Sequence, residues 1–304
     1  MQKLQTFILL IIIVIAGMLY FVKREKINDH TFSEKNIEQM DQLQIVFLDV
    51  GQGDATFIEF PNGEQMLVDC AEDGKILEAL GRVMPYYDRD IDYLMITHPD
   101  FDHYGGCEEV LNRFEVKNIV YNGMKKEYDP MWQSFWWAKE NEEASYFEID
   151  REEVWNIAST TLHFLYPDHA IVDDPGIPGY DGEVNTNDTS IVFKLIYGDN
   201  SILLTGDAEQ HVEEYLISMY GDQLDIDILK LGHHGSDSSS IQEFIQITSP
   251  NQSIASCGLE NKFGHPSRRV LKRLDRVSST VWRTDLQGDI TLLVGLDNIE
   301  IFAN

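Results

Sequence analysis

The apolar run Tyr93-Leu94-Met95-Ile96 leads directly into Thr97-His98-Pro99-Asp100-Phe101-Asp102-His103. Four residues able to ligate a metal stand within six positions, at the end of a segment whose composition predicts a strand. Such a strand delivers two imidazoles and two carboxylates into one small volume at its carboxyl end. Carboxylates held that close repel one another unless a cation lies between them. A chain built this way needs a fold in which several strand ends converge on one edge.

Further ligand types follow other predicted strands. Asp207 comes after residues 202–204, and Lys230-Leu231-Gly232-His233-His234-Gly235-Ser236 closes the apolar stretch 226–231. Strands are also expected over 43–50, 55–60 and 65–70, with Asn62-Gly63 as a hairpin turn, and over 118–121, 190–197, 253–256, 281–282, 290–294 and 299–302. Helical patterns lie between them at 76–84, 108–114, 212–219, near Phe244 and after Ser267. Residues 125–181 are the least regular. They hold Trp132, Phe135, Trp136 and Trp137, which suit either internal packing or the roof of a cleft, and a Pro/Gly/Asp-rich loop over 167–182. Strands come first in hairpins and then alternate with helices, twice over. That order predicts an α+β chain folded as a four-layer αββα sandwich.

The candidate metal ligands are then His98, Asp100, Asp102, His103, Asp207, His233 and His234. They are too many for one tetrahedral ion and suit two divalent ions bridged by a carboxylate. Spacing alone leaves open which of His233 and His234 coordinates. The formal net charge of −29 opposes strong non-specific binding of polyanions through the global field. Cys70, Cys107 and Cys257 allow at most one disulfide, so this is no disulfide scaffold.

Residues 7–22 are nearly all apolar and are flanked by Lys3 and by Lys23, Arg24 and Lys26. We expect an amino-terminal transmembrane anchor helix (1–23), a polar linker (24–42) and one catalytic domain (43–304). The domain is expected outside the cytoplasmic membrane, or secreted if the segment is cleaved. No protein partner follows from the sequence.

Taken in order, the motifs resemble those of the metallo-β-lactamase superfamily, specifically the hydrolase domain of ComEC-type competence proteins. They are Asp49-Val50-Gly51-Gln52-Gly53-Asp54-Ala55, Val68-Asp69, the His98-to-Gly106 segment, Asn187-Asp188-x-Ser190 and Leu204-Thr205-Gly206-Asp207-x-Glu209. The series continues through Lys230-x-Gly-His-His-Gly-Ser236, Gly264-His265-Pro266-Ser267 and Arg283-Thr284-Asp285-x-x-Gly288. The resemblance implies that His98 and Asp100 bind one metal, Asp102 and His103 the other, that Asp207 bridges them, and that the His233-His234 pair supplies a ligand to the second. It also implies a two-metal phosphodiesterase with nucleic acid among its substrates. The alternatives are a hydrolase of a small ester (a phosphocholine or nucleotide diester, a lactone or a lactam) or a non-catalytic metal-containing binding module.

This chain departs from the superfamily pattern in two places: Asp100 stands where many members have histidine, and Asn187 or Asp188 occupies the neighbourhood of another. The donor set is correspondingly rich in oxygen, which admits Mn²⁺ beside Zn²⁺. Asp69 is expected to orient the ligand loops; no chemical role follows for Asp54, whose plain reading is a backbone cap in its Gly-rich turn. Asp102, His234, His265 and Lys230 are the expected catalytic residues, with His265 on the phosphate or the leaving group, or structural, and Lys230 either on substrate or a surface lysine. Lys262, Arg268, Arg269, Lys272, Arg273, Arg276 and Arg283 form a basic strip that reads either as a solvated helix face or as an anion path toward His265.

Overall fold

The computed structural model describes residues 42–303. The apolar segment and nearly all of the linker expected before them lie outside the described residues. No described helix is long and apolar enough to cross a membrane.

The first sheet grows from a meander, β1 (Leu43–Phe47), β2 (Thr56–Glu59) and β3 (Gln65–Val68). Helix α1 (Lys75–Val83) then returns the chain to β4 (Asp90–Ile96). Two short helices, α2 (Phe101–Tyr104) and α3 (Cys107–Arg113), lead to β5 (Glu115–Tyr121), and α4 (Pro130–Glu140) leads to β6 (Ser145–Glu148). The second sheet contains β7 (Glu153–Ile157), β8 (Thr160–Tyr166), β9 (Val192–Tyr197) and β10 (Asn200–Leu204), all antiparallel. β11 (Ile228–Lys230), β12 (Gln252–Ala255) and β13 (Thr280–Arg283) extend it in parallel, separated by α5 (Gln210–Tyr220), α6 (Gln242–Thr248) and α7 (Arg268–Arg276). After α8 (Thr284–Gln287), β14 (Ile290–Val294) crosses back onto β1 and β15 (Ile299–Ala303) forms the edge. The strand orders are β15-β14-β1-β2-β3-β4-β5-β6 and β13-β12-β11-β10-β9-β8-β7.

Three separate apolar cores make this an αββα sandwich. Ile45, Phe47 and Met95 of one sheet meet Phe164, Phe193 and Ile202 of the other. Val46, Leu67 and Leu94 point the opposite way, onto Leu80, Val110 and Trp132 of the helices. Val192, Leu203 and Leu229 pack on Val212, Phe244 and Leu274. Both faces of each sheet are covered, which is why the central strands are apolar without interruption instead of alternating.

Residues 125–181 depart from the expectation of irregularity. They contain α4 and the strands β6, β7 and β8. The β7–β8 hairpin turns at Ala158-Ser159 with Ala158 at φ 53°, so the Gly or Asn that usually marks such a turn is missing. Helix α4 does begin at a readable signal, since the Asp129 carboxylate accepts from the Met131 N–H and Pro130 follows it. Trp132 and Phe135 are buried against Tyr104 and Tyr121, with ring centroids 4.8 Å apart for Tyr104–Trp132 and 5.4 Å for Tyr121–Trp132. These aromatics pack the core, and Trp137 alone of the four is exposed.

Candidate metal centre

Parallel strands of both sheets end on one edge, and their carboxyl ends carry the ligand types. β4 delivers His98, β10 delivers Asp207 and β11 delivers His234. His103 Nε2 lies 3.2 Å from Asp207 Oδ2, and His234 Nε2 lies 3.2 Å from Asp102 Oδ2 and 3.4 Å from Asp207 Oδ2. His98 Nε2 faces Asp100 Oδ2 at 3.8 Å. Among the described residues four groups have their ligand atoms within 4.8 Å; two, Asp54–Asp207–His234 and Asp54–Asp69–His103, include Asp54, and the other two are His98–His103–Asp207 and Asp102–His103–His234. The latter two share His103, and Asp207 reaches both.

Within this cluster, His98 Nε2, His103 Nε2 and Asp207 Oδ1 are buried and make no hydrogen bond. Orphaned ring nitrogens facing an orphaned carboxylate oxygen are costly unless something binds between them. Mixed nitrogen and oxygen donors at this spacing fit divalent cations.

Neighbouring backbone holds the ligands in place. The Asp69 carboxylate accepts from the Thr97 N–H and hydroxyl, both at 2.8 Å, and holds His103 Nδ1 at 2.7 Å. That contact fixes the ring and leaves Nε2 facing Asp207. The Asp54 N–H donates to the Asp102 carbonyl and the Cys70 N–H to the His103 carbonyl. A Cβ on Gly53 would come within 2.1 Å of the Asp102 oxygen, so only glycine lets the 50–54 turn approach the metal loop. A disulfide joins Cys70, just after β3, to Cys107 at the start of α3. Asp100 is held through Oδ1 by Lys126 and by the Thr186 hydroxyl at 2.6 Å, which leaves Oδ2 toward His98. His234 Nδ1 contacts the Ser256 carbonyl at 3.0 Å.

Burial and neighbouring charges divide the histidines. His98 is lowered to about 4, mainly by burial and then by His103, so its ring is neutral and ready to ligate. Burial would lower His103 too, but Asp207 and Asp69 raise it well above its ordinary value. His234 is raised against burial by Asp207 and Asp102. In the same way burial opposes ionisation of Asp207, and the charges of His234 and His103 hold it well below the carboxylate range. The neighbouring carboxylates thus favour a proton on His103 and on His234, with which a cation competes. Metal uptake should release protons, and the apparent affinity should fall as the pH drops, by about tenfold per unit for each proton displaced. Titration calorimetry in buffers of different ionisation enthalpy counts those protons. Heats that do not vary with buffer would refute the expectation.

His233 is placed elsewhere. It sits at φ 46° with Nδ1 2.9 Å from Glu209 Oε1 and belongs to none of the ligand groups. Glu209 also accepts from the Ser238 hydroxyl, Asn187 and Asn185. Burial would raise Glu209, yet the bonds from His233 and Ser238 lower it to about 2. Asn187 thus faces Glu209 and His233, and Asp188 Oδ2 faces the Asn185 N–H. Neither of them enters the ligand groups. His265 stacks on Phe263 and lies edge-on to His233, with ring centroids 5.5 Å apart. Burial, then His233 and His234, lower it to about 4.

Lys230 is buried and ion-paired with Asp54, with a bond to the Leu231 carbonyl 3.1 Å away, so it points into the protein. Of the basic strip, Arg269 pairs with Asp237, Arg273 donates to the Ser239 and Ser240 carbonyls, Arg276 donates to Gln242, and Arg283 pairs with Asp285. Those four arginines bind their own chain instead of forming an open anion path. Lys126, Thr186 and the Glu209–His233 pair carry no distance-readable signal in the sequence. Asp54 and Lys230 stand in motifs, but their pairing across 176 positions is visible only once folded.

Residues 48–258 match the family model of the metallo-beta-lactamase superfamily. The chain is 31% identical to ComE operon protein 3 of Bacillus subtilis (strain 168) over 265 residues, covering 81% of this chain and 32% of the relative. It is 29% identical to Recombination protein 2 of Haemophilus influenzae, covering 85% of this chain and 30% of that protein. It thus spans about a third of these relatives. Among solved structures, CmlA, a diiron beta-hydroxylase from Streptomyces venezuelae, superposes with a TM-score of 0.54 at 16% identity, over 84% of this chain and 54% of that one. That likeness bears on the fold alone.

Proposed function

This chain belongs to the metallo-beta-lactamase superfamily, and we propose that it is a two-metal phosphodiesterase that acts on nucleic acid or a nucleotide ester. The observation that carries the proposal is the pair of ligand groups sharing His103, with Asp207 between them. Two divalent ions held there would supply Lewis acidity at the attacking and leaving oxygens of an in-line displacement. His98, Asp100 and Asp207 suit one ion, and Asp102, His103, His234 and Asp207 the other. Three carboxylates among six donors support Mn²⁺ as well as Zn²⁺.

The remaining groups are candidates for handling protons and phosphate. His233, steadied at Nδ1 by Glu209, offers its other ring nitrogen to a leaving oxygen. His265 is neutral at pH 7 and stands beside His233 and His234, placed to accept a hydrogen bond from the nucleophile or substrate. Metal-loaded protein should hydrolyse bis(p-nitrophenyl) phosphate and single-stranded DNA. Failure on every diester with either metal would sink the proposal.

We also propose an extracytoplasmic location, supported by the Cys70–Cys107 disulfide, since such bonds persist in oxidising compartments. Alkylation trapping of these two cysteines in whole cells tests it: reduced thiols in the native protein would count against it.

A further inference from the structure

A cavity of about 740 Å³ lies between the β5–α4 connection and the loop that follows β8. It adjoins the metal centre, because Lys126 both lines it and binds Asp100. This cavity includes no residue of the ligand groups itself, but the cavities beside α1, at the β11–β12 edge, between α5 and α6, and under Trp136 lack even a lining residue bonded to a candidate ligand. Its volume falls in the range of small-molecule sites, roughly 300–1,000 Å³.

The lining has a definite chemistry. Met124, Ile171, Val172 and Pro175 make an apolar wall, with Ile171 buried but Val172 57% exposed. Tyr128, 98% exposed, stands among the lining residues as an apolar face with nothing packed on it. Lys125 and Lys126 also line the cavity, the Lys126 ammonium bonding Asp100 and the Lys125 ammonium lying 4.9 Å over the Trp136 ring. Of the two carboxylates in the lining, Asp129 is already engaged by the Tyr104 hydroxyl and the Met131 N–H, which leaves Glu127.

We propose that this cavity receives the nucleobase of a nucleotide whose phosphate lies at the metals. This rests on the phosphodiesterase reading and adds to it which side of the centre the organic group occupies. The apolar wall and the tyrosine suit a flat ring, and the Glu127 carboxylate can accept from its exocyclic amine. Lys126 lies between Asp100 and the cavity, where it meets a phosphate oxygen on the way in.

Binding to the full chain loaded with Mn²⁺ tests this without turnover. Adenosine 5′-monophosphate should bind about tenfold tighter than inorganic phosphate, and phosphocholine no tighter than phosphate. Val172→Trp, at an exposed position that tolerates bulk, should fill the cavity and erase the advantage of the nucleotide while leaving phosphate within about twofold. Tyr128→Ala, also exposed, should shrink the same advantage. A nucleotide that binds no tighter than phosphate, a larger advantage for phosphocholine, or a Val172→Trp protein that keeps the nucleotide's advantage would each overturn the proposal. Absence of diester hydrolysis would sink the phosphodiesterase reading and leave these binding outcomes distinct from it.

Discussion

Asp207→Asn should reduce diester turnover by about a thousandfold or more while leaving a folded protein with fewer bound metal ions. Asp207 Oδ2 lies 3.2 Å from His103 Nε2 and 3.4 Å from His234 Nε2, and its second oxygen makes no hydrogen bond. An amide keeps the size of the side chain but removes the charge that two cations would share. Charge stabilisation of several kcal/mol at about 1.4 kcal/mol per factor of ten sets the magnitude. The Asp207 N–H bond to the Ser190 hydroxyl is a backbone contact that the substitution preserves, so the strand end keeps its path. Metal content per chain, circular dichroism and initial rates together decide the matter. Near-native turnover with a normal metal count would eliminate a bridging role for Asp207.

Lys230→Met should be the most damaging single change to stability around the site, lowering it by about 3–5 kcal/mol. Lys230 and Asp54 are both almost fully buried, and burial, which would lower the lysine, is outweighed by Asp54 and Asp207. Removing the ammonium strands the Asp54 carboxylate beside Asp207 and His234, where no water can solvate it. Adding Asp54→Asn should recover a substantial part of the loss, because the uncompensated charge goes with it. Denaturant unfolding of the two single variants and the double variant measures this. Losses in the two single variants that simply add in the double variant would show that the pair is not coupled.

Most of the centre was legible because its residues follow strands in short motifs. His98 to His103 sit within one turn after β4, and Asp207 directly follows β10, so local spacing already gathers them near one edge. Asp69 was legible as a residue that orients ligands, and it holds His103 through Nδ1. The hairpin at Ala158-Ser159 was not legible, because tertiary packing imposes a left-handed residue that carries no turn signature. The aromatic group of α4 stayed ambiguous for a related reason. Helical spacing gives one packed face, and only the position of Tyr104 and Tyr121 shows that it is filled by core.

The sequence by itself determined the layered α+β architecture, the collection of metal-ligating residues at strand ends and the oxygen-rich character of that collection. These follow from local periodicity and from residue chemistry, neither of which depends on distant parts of the chain. Only the tertiary structure decided between His233 and His234 as neighbours of the ligand groups. Two adjacent left-handed residues at φ 46° and 55° send successive rings in different directions, one to Glu209 and the other to Asp102 and Asp207. It likewise turned Lys230 inward and closed four arginines of the basic strip onto their own chain. Side-chain direction and charge pairing across more than a hundred residues are set by packing, which a linear pattern does not encode.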